Sequence, residues 1–158
     1  MRRRTALGLL GVGLGVFVAA CGRKAVPTAH KESSLRVVEV ARRYLGTPYR
    51  WGGCDRRGFD CSGYVCRVFQ EAVGLTLPRT ADQQATVGKA VPLSDLRPGD
   101  LVFFREPGQP QITHVGIVSR IHQGQVYFLH ASNSKGVTED VLSQPYWQKR
   151  VVKARRIP

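Results

Sequence analysis

The chain has 158 residues, a formal net charge of +13 and a hydrophobic share of 42%. This length allows one folded domain. A charge this positive fits nucleic acid, an anionic wall polymer or anionic lipid head groups. Because the basic residues are scattered along the chain, a plain solvated surface explains the charge equally well.

The first twenty residues have the pattern of a secretory leader. The basic start, Arg2 to Arg4, precedes an apolar stretch at 6–20 that carries no charge. This stretch is shorter than the roughly 20 residues of a membrane-spanning helix. Its end, Val18-Ala19-Ala20-Cys21, resembles the bacterial lipobox. We therefore predict a signal peptide over 1–20, lipidation of Cys21, and a polar tether over 21–33.

A lipidated leader predicts the compartment and the partners. The protein is expected in the bacterial cell envelope, anchored by lipid and facing the periplasm or the exterior. In a Gram-negative cell the outer membrane is favoured over the inner one. An exported lipoprotein does not routinely meet nucleic acid, so nucleic acid is not an expected partner. We expect a monomer that contacts the membrane through Cys21.

Residues 34–158 are predicted to form the folded domain, which begins with helices. Either Ser33 or Ser34 is a good N-cap for the first helix. The apolar residues of this helix recur at helical spacing: Leu35, Val38, Ala41 and Leu45. A second helix is predicted over 62–73, and a short third helix begins after Thr80, its N-cap.

The second half of the domain is predicted to consist of strands. Glycine or proline punctuates most of the gaps between apolar stretches. The predicted strands are 101–104, 114–121, 125–131 and 151–157. Helices first and strands afterwards indicate an α+β domain in which the helices pack on an antiparallel sheet.

Cys61 lies where the second helix begins. A helix N-terminus and a nearby histidine are the two usual means of stabilising a thiolate, the nucleophilic form of cysteine. Gly58 and Gly63 leave room on both sides for a substrate backbone. The segment 60–63 is a weak signal by itself, because structural cysteines at helix starts are common.

Two histidines occur on neighbouring predicted strands. His114 starts one strand and His130 ends the next, and the strands would form a hairpin. A three-residue loop at 122–124 makes the two histidines diagonal neighbours on one face of the sheet, within side-chain reach. A two-residue loop would put them on opposite faces. With the longer loop, one histidine can hold the tautomer and ring orientation of the other.

Several motifs follow one another in the order found in the NlpC-type cell-wall peptidases. They are Thr47-Pro48-Tyr49-Arg50-Trp51-Gly52-Gly53, Gly58-Phe59-Asp60-Cys61-Ser62-Gly63, Leu77-Pro78-Arg79-Thr80 with Gln84, Pro98-Gly99-Asp100-Leu101-Val102-Phe103-Phe104, His114-Val115-Gly116-Ile117 and His130-Ala131-Ser132. The chain therefore resembles this family over 35–157. The resemblance implies a papain-like fold, a Cys-His-His arrangement, and hydrolysis of peptidoglycan stem peptides, often between D-glutamate and a diamino acid.

The resemblance also implies the role of each reacting residue. Cys61 would be the nucleophile, at the N-terminus of the central helix. His114 would be the base, and His130 would orient it. Tyr49 would lie beside the thiol on the oxyanion side.

Residues around the nucleophile are expected to form the substrate cleft. The resemblance implies that Asp60 and Ser62 help to bind the stem peptide. Asp60 could pair with the free amine of a trimmed stem, which would favour stems already detached from sugar. Arg79 and Gln84 are expected to shape the cleft, and Trp51 is expected to pack against the domain.

Cys54 and Cys66 remain after lipidation and catalysis are assigned. An even pair in an oxidising compartment either forms a disulfide or stays free. No close cysteine pair has the spacing of a zinc site. We therefore predict no metal and no cofactor.

Two alternative functions stay open beside the endopeptidase. A papain-like N-acetylmuramoyl-L-alanine amidase would use the same cysteine and histidine to cut between the sugar lactyl group and the stem. A non-catalytic lipoprotein would only bind the wall. Papain-like acyltransferases of lipid metabolism place histidine before cysteine, whereas Cys61 here precedes His114. The motif set favours the endopeptidase.

Overall fold

The computed structural model describes residues 28–157, so the predicted leader, Cys21 and the start of the tether lie outside the described residues. The helices are α1 (Thr28–Arg42), α2 (Cys61–Val73), α3 (Ala81–Gln84) and α4 (Pro145–Gln148), with a 3-10 turn at Leu93–Asp95. The strands are β1 (Cys54–Asp55), β2 (Gly58–Phe59), β3 (Lys89–Val91), β4 (Leu101–Phe104), β5 (His114–His122), β6 (Gln125–Ser132), β7 (Gly136–Val141) and β8 (Val151–Arg156). Over the described range, no helix combines the length and apolar character needed to cross a membrane.

The first helix differs from the prediction at both ends. It is helical from Thr28, inside the predicted tether, and Ser33 donates to the Ala29 carbonyl (3.0 Å) instead of capping the start. Leu35 is 56% exposed, and Leu45, which lies beyond the end of α1, is 47% exposed. The predicted apolar face is therefore rotated. The residues that α1 buries are Val37, Val38, Val40 and Ala41.

The second helix forms as predicted because both of its ends are capped. Asp60 has extended backbone angles and its carboxylate accepts from the Gly63 N–H at 2.7 Å. At the other end, Gly74 adopts the left-handed conformation (φ 69°), which glycine accepts without a Cβ penalty. A Cβ on Gly63 would lie 2.1 Å from the Gly53 carbonyl oxygen, so the glycine-rich loop packs directly on the first turn of α2. This contact brings the loop to Cys61.

Six of the strands form one antiparallel sheet, in the order β3-β8-β4-β5-β6-β7. Strands β4, β5, β6 and β8 match the sequence prediction. The strands β3 and β7 were not predicted, and they are the two edges of the sheet. Edge strands commonly carry charges that discourage pairing with other chains, and such strands lack a clear apolar alternation. The helices and this sheet confirm the predicted α+β architecture.

The sheet buries both of its faces. Alternate residues of a strand point to opposite faces, and β4 shows this division. Leu101 and Phe103 pack with α1 and α2 in the larger core cluster. Val102 and Phe104 pack on the other face, against Trp147 of α4. The domain therefore has a helical layer on one face of the sheet and a smaller cluster under α4 on the other.

The β5–β6 hairpin has a two-residue loop, so the predicted loop length is wrong. His122 pairs with Gln125, and the turn residues Gln123 and Gly124 both have positive φ (49° and 75°), as a type I′ turn requires. The register then shifts between Val118 and Arg120. This bulge adds one residue, Ser119, to β5. The shorter loop alone would put His114 and His130 on opposite faces of the sheet, and the added residue returns them to the same face.

Candidate active site

The predicted nucleophile is the first residue of α2 and faces the start of β5. The Cys61 thiol donates to the Thr113 carbonyl oxygen at 3.9 Å, and Thr113 immediately precedes His114. Cys61 is half-buried and packs against the larger core cluster together with Tyr49. The geometry therefore brings the thiol to the strand end from which the predicted base projects.

The resting form of Cys61 is a thiol. Burial raises its pKa above the ordinary value, and the adjacent Asp60 carboxylate raises it further. Backbone N–H groups of Val115, Ser62 and Cys61 itself lower the pKa, but burial dominates. The helix start alone does not provide a thiolate here. Nucleophilic chemistry at Cys61 consequently needs a base that removes the thiol proton.

Three polar side chains form a hydrogen-bonded series across neighbouring strands. His114 Nε2 lies 3.0 Å from His130 Nδ1, and His130 Nε2 lies 3.0 Å from Asp140 Oδ2. His130 pairs directly with Thr138, so Asp140 is its diagonal neighbour on β7. The same diagonal offset relates His114 to His130 across β5 and β6. The predicted contact between the two histidines is present, and Asp140 extends it.

The acid at the end of the series fixes both tautomers. An ionised carboxylate only accepts hydrogen bonds, so His130 Nε2 carries the proton that it donates to Asp140. His130 Nδ1 is then the bare nitrogen and accepts from the N–H at Nε2 of His114. The remaining nitrogen of His114, Nδ1, is left unprotonated. A neutral His114 in this tautomer has a lone pair available to accept a proton.

Trp147 covers this series on the side away from α1 and α2. Its ring stacks on His114 (centroids 5.5 Å apart, planes 21° apart) and meets His130 edge to face at 4.9 Å. Its indole N–H donates to Asp140 at 3.1 Å. One side chain thus covers one side of both imidazoles and helps to orient the carboxylate.

Burial keeps both histidines neutral. It lowers the pKa of His114 to about 3, with a further lowering from His130, while the Asp140 charge acts in the opposite direction. Burial also lowers the pKa of His130, although its hydrogen bond to Asp140 opposes this change. No hydrogen bond joins Cys61 to His114 in residues 28–157. Contacts of this kind are often long in a site without substrate and tighten when substrate binds.

The Asp60 carboxylate is already saturated by the protein. Oδ1 accepts from Gly63 N (2.7 Å) and Arg79 Nη1 (2.9 Å), and Oδ2 accepts from Gly52 N (3.1 Å) and Arg79 Nη2 (2.6 Å). Arg79 Nη1 also donates to the Ser62 hydroxyl at 2.9 Å. The structure therefore does not present Asp60 as a vacant acceptor for a substrate amine. The carboxylate instead holds Arg79 beside the nucleophile.

The other predicted cleft residues take three different positions. Gln84 is fully buried, and its amide donates to the carbonyls of Ser62 (3.1 Å) and Pro78 (2.8 Å), which ties the 77–80 segment to α2. Tyr49 is half-buried, and burial followed by the nearby Cys61 and Asp60 groups raises its pKa, so its hydroxyl stays protonated. Trp51 is 88% exposed, so the predicted packing role is wrong.

The two remaining cysteines are free thiols, and within residues 28–157 neither forms a disulfide. Cys54 is exposed. Cys66 donates to the carbonyls of Leu77 (3.5 Å) and Pro78 (3.3 Å), and Gln84 donates to its sulfur. Burial raises the pKa of Cys66. Cys66 is thus held by the segment that carries Arg79.

Sequence reasoning missed Asp140 and Trp147. Asp140 lies on β7, whose residues Thr138, Glu139 and Asp140 break any apolar alternation. Trp147 lies on the four-residue helix α4, which is too short to give a periodic pattern. The one usable signal was Pro145, since proline is favoured in the first turn of a helix.

The pKa shift of His114 predicts that acid weakens the fold. The unfolded chain binds a proton at this histidine near pH 6.5, whereas folded His114 does so only at about 3. Protons therefore favour the unfolded state between these limits, and the free energy of unfolding should fall by about 2 kcal/mol from pH 6.5 to pH 5. Urea unfolding of wild type and His114→Gln at several pH values measures this slope. The slope should become shallower in His114→Gln than in wild type; equal slopes in the two proteins would contradict the assignment.

Comparison with known proteins identifies relatives of this chain. The model of the NlpC/P60 family matches residues 46–156. Murein DD-endopeptidase MepS/murein LD-carboxypeptidase of Escherichia coli is 43% identical over 133 residues, covering 80% of this chain and 68% of the relative. Gamma-DL-glutamyl hydrolase of Bacillus subtilis is 39% identical over 143 residues, covering 90% of this chain but only 33% of the relative.

A solved structure shares the architecture. The crystal structure of an NlpC/P60 family protein from Bacillus cereus superposes with a TM-score of 0.70 and 30% identity. The match covers 78% of this chain and 39% of that one, so the similarity concerns a single domain of the longer protein. The family match includes the Cys61 helix, both histidine strands and β7. The chain therefore belongs to the NlpC/P60 family.

Proposed function

We propose that the protein is a cysteine endopeptidase that cuts the stem peptides of peptidoglycan. The observation that carries the proposal is the thiol at the start of α2, which faces the strand end that carries His114, and the tautomer of His114 is set by His130 and Asp140. Membership of the NlpC/P60 family and relatives named as murein and glutamyl hydrolases support the same reaction class. Cys61 is the proposed nucleophile and His114 the proposed base.

The first half of the reaction forms an acyl-enzyme. The Cys61 thiol turns from the Thr113 carbonyl toward His114, and Nδ1 of His114 takes its proton as sulfur attacks the amide carbonyl carbon. The resulting imidazolium is buried, and the Asp140 charge, relayed through His130, offsets part of that cost. His114 then gives the proton to the leaving amine nitrogen, the C–N bond breaks, and a thioester remains on Cys61.

The second half regenerates the thiol. His114 accepts a proton from water, the hydroxide adds to the thioester carbonyl, and the sulfur leaves and is reprotonated. In both halves the carbonyl oxygen becomes negative. The Cys61 backbone N–H and the protonated Tyr49 hydroxyl are the proposed donors to that oxygen, because stabilising this charge is usually the largest catalytic contribution.

Digestion of muropeptides, in which defined tripeptide or tetrapeptide stems are attached to sugar, tests the proposal with the full-length chain. Wild type should produce fragments of tripeptide and tetrapeptide stems that mass spectrometry identifies. Cys61→Ala should produce none while remaining folded by circular dichroism. Cys54→Ala, which removes an exposed thiol outside the site, should cut like wild type. Turnover by folded Cys61→Ala would disprove the nucleophile, and release of an intact stem from sugar would replace the endopeptidase with the amidase.

The proposed cleavage point is the γ-D-glutamyl–diamino acid bond. The resemblance of the motifs supports it, as does the relative named gamma-DL-glutamyl hydrolase. The relative named murein DD-endopeptidase is named for a different bond. The masses of the fragments distinguish the two bonds directly, because each cut leaves a different residue at the new C-terminus.

Asp140 is proposed as a positioning residue, and its removal should affect chemistry more than binding. In Asp140→Asn an amide N–H can face His130 Nε2, which reverses both tautomers and leaves His114 Nδ1 protonated. We expect kcat to fall on the order of 10²-fold with KM within about threefold of wild type. Loss of the carboxylate charge should also move the acid limb of kcat to lower pH.

Two further variants control this prediction. Asp140→Glu should restore part of kcat because it can still accept from His130. Asp95→Asn removes an exposed carboxylate that pairs with Arg97 at the surface, and should leave kcat unchanged. A folded Asp140→Asn protein with wild-type kcat would show that Asp140 has no part in positioning the base.

The leader supports a further proposal, that Cys21 anchors the enzyme in the cell envelope. Cys21→Ser should abolish metabolic labelling with palmitate and yield an uncleaved or soluble protein. Stable membrane association needs two or more anchoring signals, and a lipoprotein with several acyl chains meets that requirement. Cys54→Ser is the matched control and should remain labelled. Unchanged labelling of Cys21→Ser would show that the lipobox is misread.

A further inference from the structure

Arg79 is held in one orientation by groups on both sides of the nucleophile. Its two terminal nitrogens donate hydrogen bonds to the two carboxylate oxygens of Asp60, at 2.9 and 2.6 Å. The second N–H of Nη1 donates to Ser62 at 2.9 Å. Asp60 and Ser62 immediately precede and follow Cys61. The guanidinium is therefore fixed within hydrogen-bond distance of both neighbours of the reacting residue.

This arrangement leaves one edge of the guanidinium unused. Arginine has five N–H donors in a planar fork, and the contacts to Asp60 and Ser62 use three of them. The two that remain are the Nε–H and the second N–H of Nη2, which lie side by side on one edge. Within residues 28–157 neither has a hydrogen-bond acceptor, and the Arg79 side chain is 44% exposed. Two parallel N–H groups match the two oxygens of a carboxylate.

We propose that this edge of Arg79 binds a carboxylate of the stem peptide close to the scissile bond. The inference rests on the proposed function and adds the chemical group that the cleft recognises. Asp60 orients the Arg79 guanidinium and does not itself bind the substrate. Lysine could supply the charge at position 79 but not the planar pair of donors.

The charges of the cleft agree with a carboxylate and disagree with an amine. The acid beside Cys61 is neutralised by Arg79 and accepts four N–H bonds from the protein, so an incoming ammonium group would have to displace some of them. A carboxylate meets unused donors and displaces nothing. The free stem amine should therefore be dispensable, and stems still attached to sugar should be substrates.

Peptide pairs that differ in one carboxylate test the inference. Each carboxylate near the cleavage point of a stem is compared as the free acid and as the amide, with kcat and KM measured for wild type, Arg79→Gln and Arg79→Lys. At the stem position whose carboxylate Arg79 binds, amidation should raise the wild-type KM about tenfold or more. Arg79→Gln should raise the KM for the free-acid peptide by a similar factor. The two changes together should cost little more than either alone, since both remove the same contact.

The controls separate this contact from a general structural effect. Arg97 is similarly exposed (42%) and also pairs with an aspartate, so Arg97→Gln should leave both constants unchanged. If Arg79→Gln raised KM equally for the acid and amide forms of the peptide at every position, the inference would be overturned. Acetylation of the stem amine should change KM by less than about threefold; a tenfold rise would return amine recognition to Asp60 and overturn it as well.

Binding measurements distinguish failure of this inference from failure of the proposed function. Calorimetry on full-length Cys61→Ala reports peptide affinity without turnover. Carboxylate binding that depends on Arg79, in the absence of any cleavage by wild type, would remove the proposed function and keep the subsite. Cleavage that does not depend on Arg79 would overturn the carboxylate inference and leave the proposed function in place.

Discussion

The register between β5 and β6 is the constraint on which the candidate site depends. A two-residue turn by itself would place His114 and His130 on opposite faces of the sheet. The extra residue at Ser119 compensates, so both rings meet at 3.0 Å under Trp147. The Ser119 hydroxyl donates to Glu139 on β7 at 2.6 Å, which fastens the bulge to the strand that carries Asp140. The series His114, His130 and Asp140 therefore depends on one local irregularity in the sheet.

The opposite side of the site is organised by the N-terminus of α2. Asp60 caps the helix, holds the glycine-rich loop through Gly52, and orients Arg79. A single carboxylate thus joins three segments that are separate in sequence around Cys61. Sheet and helix contribute different parts of the candidate site. The sheet fixes the tautomer of His114, and the start of the helix positions the Cys61 thiol and Arg79.

The sequence predicted those parts of the site that depend on local signals. The extent of α2, its glycine stop and the apolar strands β4, β5, β6 and β8 can all be read from neighbouring residues, whereas the N-cap role of Asp60 was not predicted. The bulge at Ser119 could not, because it depends on packing against β7, and the same-face prediction was correct only because two errors in register cancelled. Asp140 was missed because a charged edge strand has no apolar alternation. The link between Asp60 and Arg79 joins residues 19 positions apart and has no local signature.

The position of Trp147 has an optical consequence. The chain has two tryptophans, and they occupy opposite environments: Trp51 is 88% exposed, whereas Trp147 lies against both imidazoles and Asp140. Their fluorescence should therefore separate, with red-shifted, readily quenched emission from Trp51 and bluer emission from Trp147. A protonated imidazole stacked on indole quenches its emission far more than a neutral one. The emission of Trp147 should therefore report the protonation state of His114, on which its ring stacks.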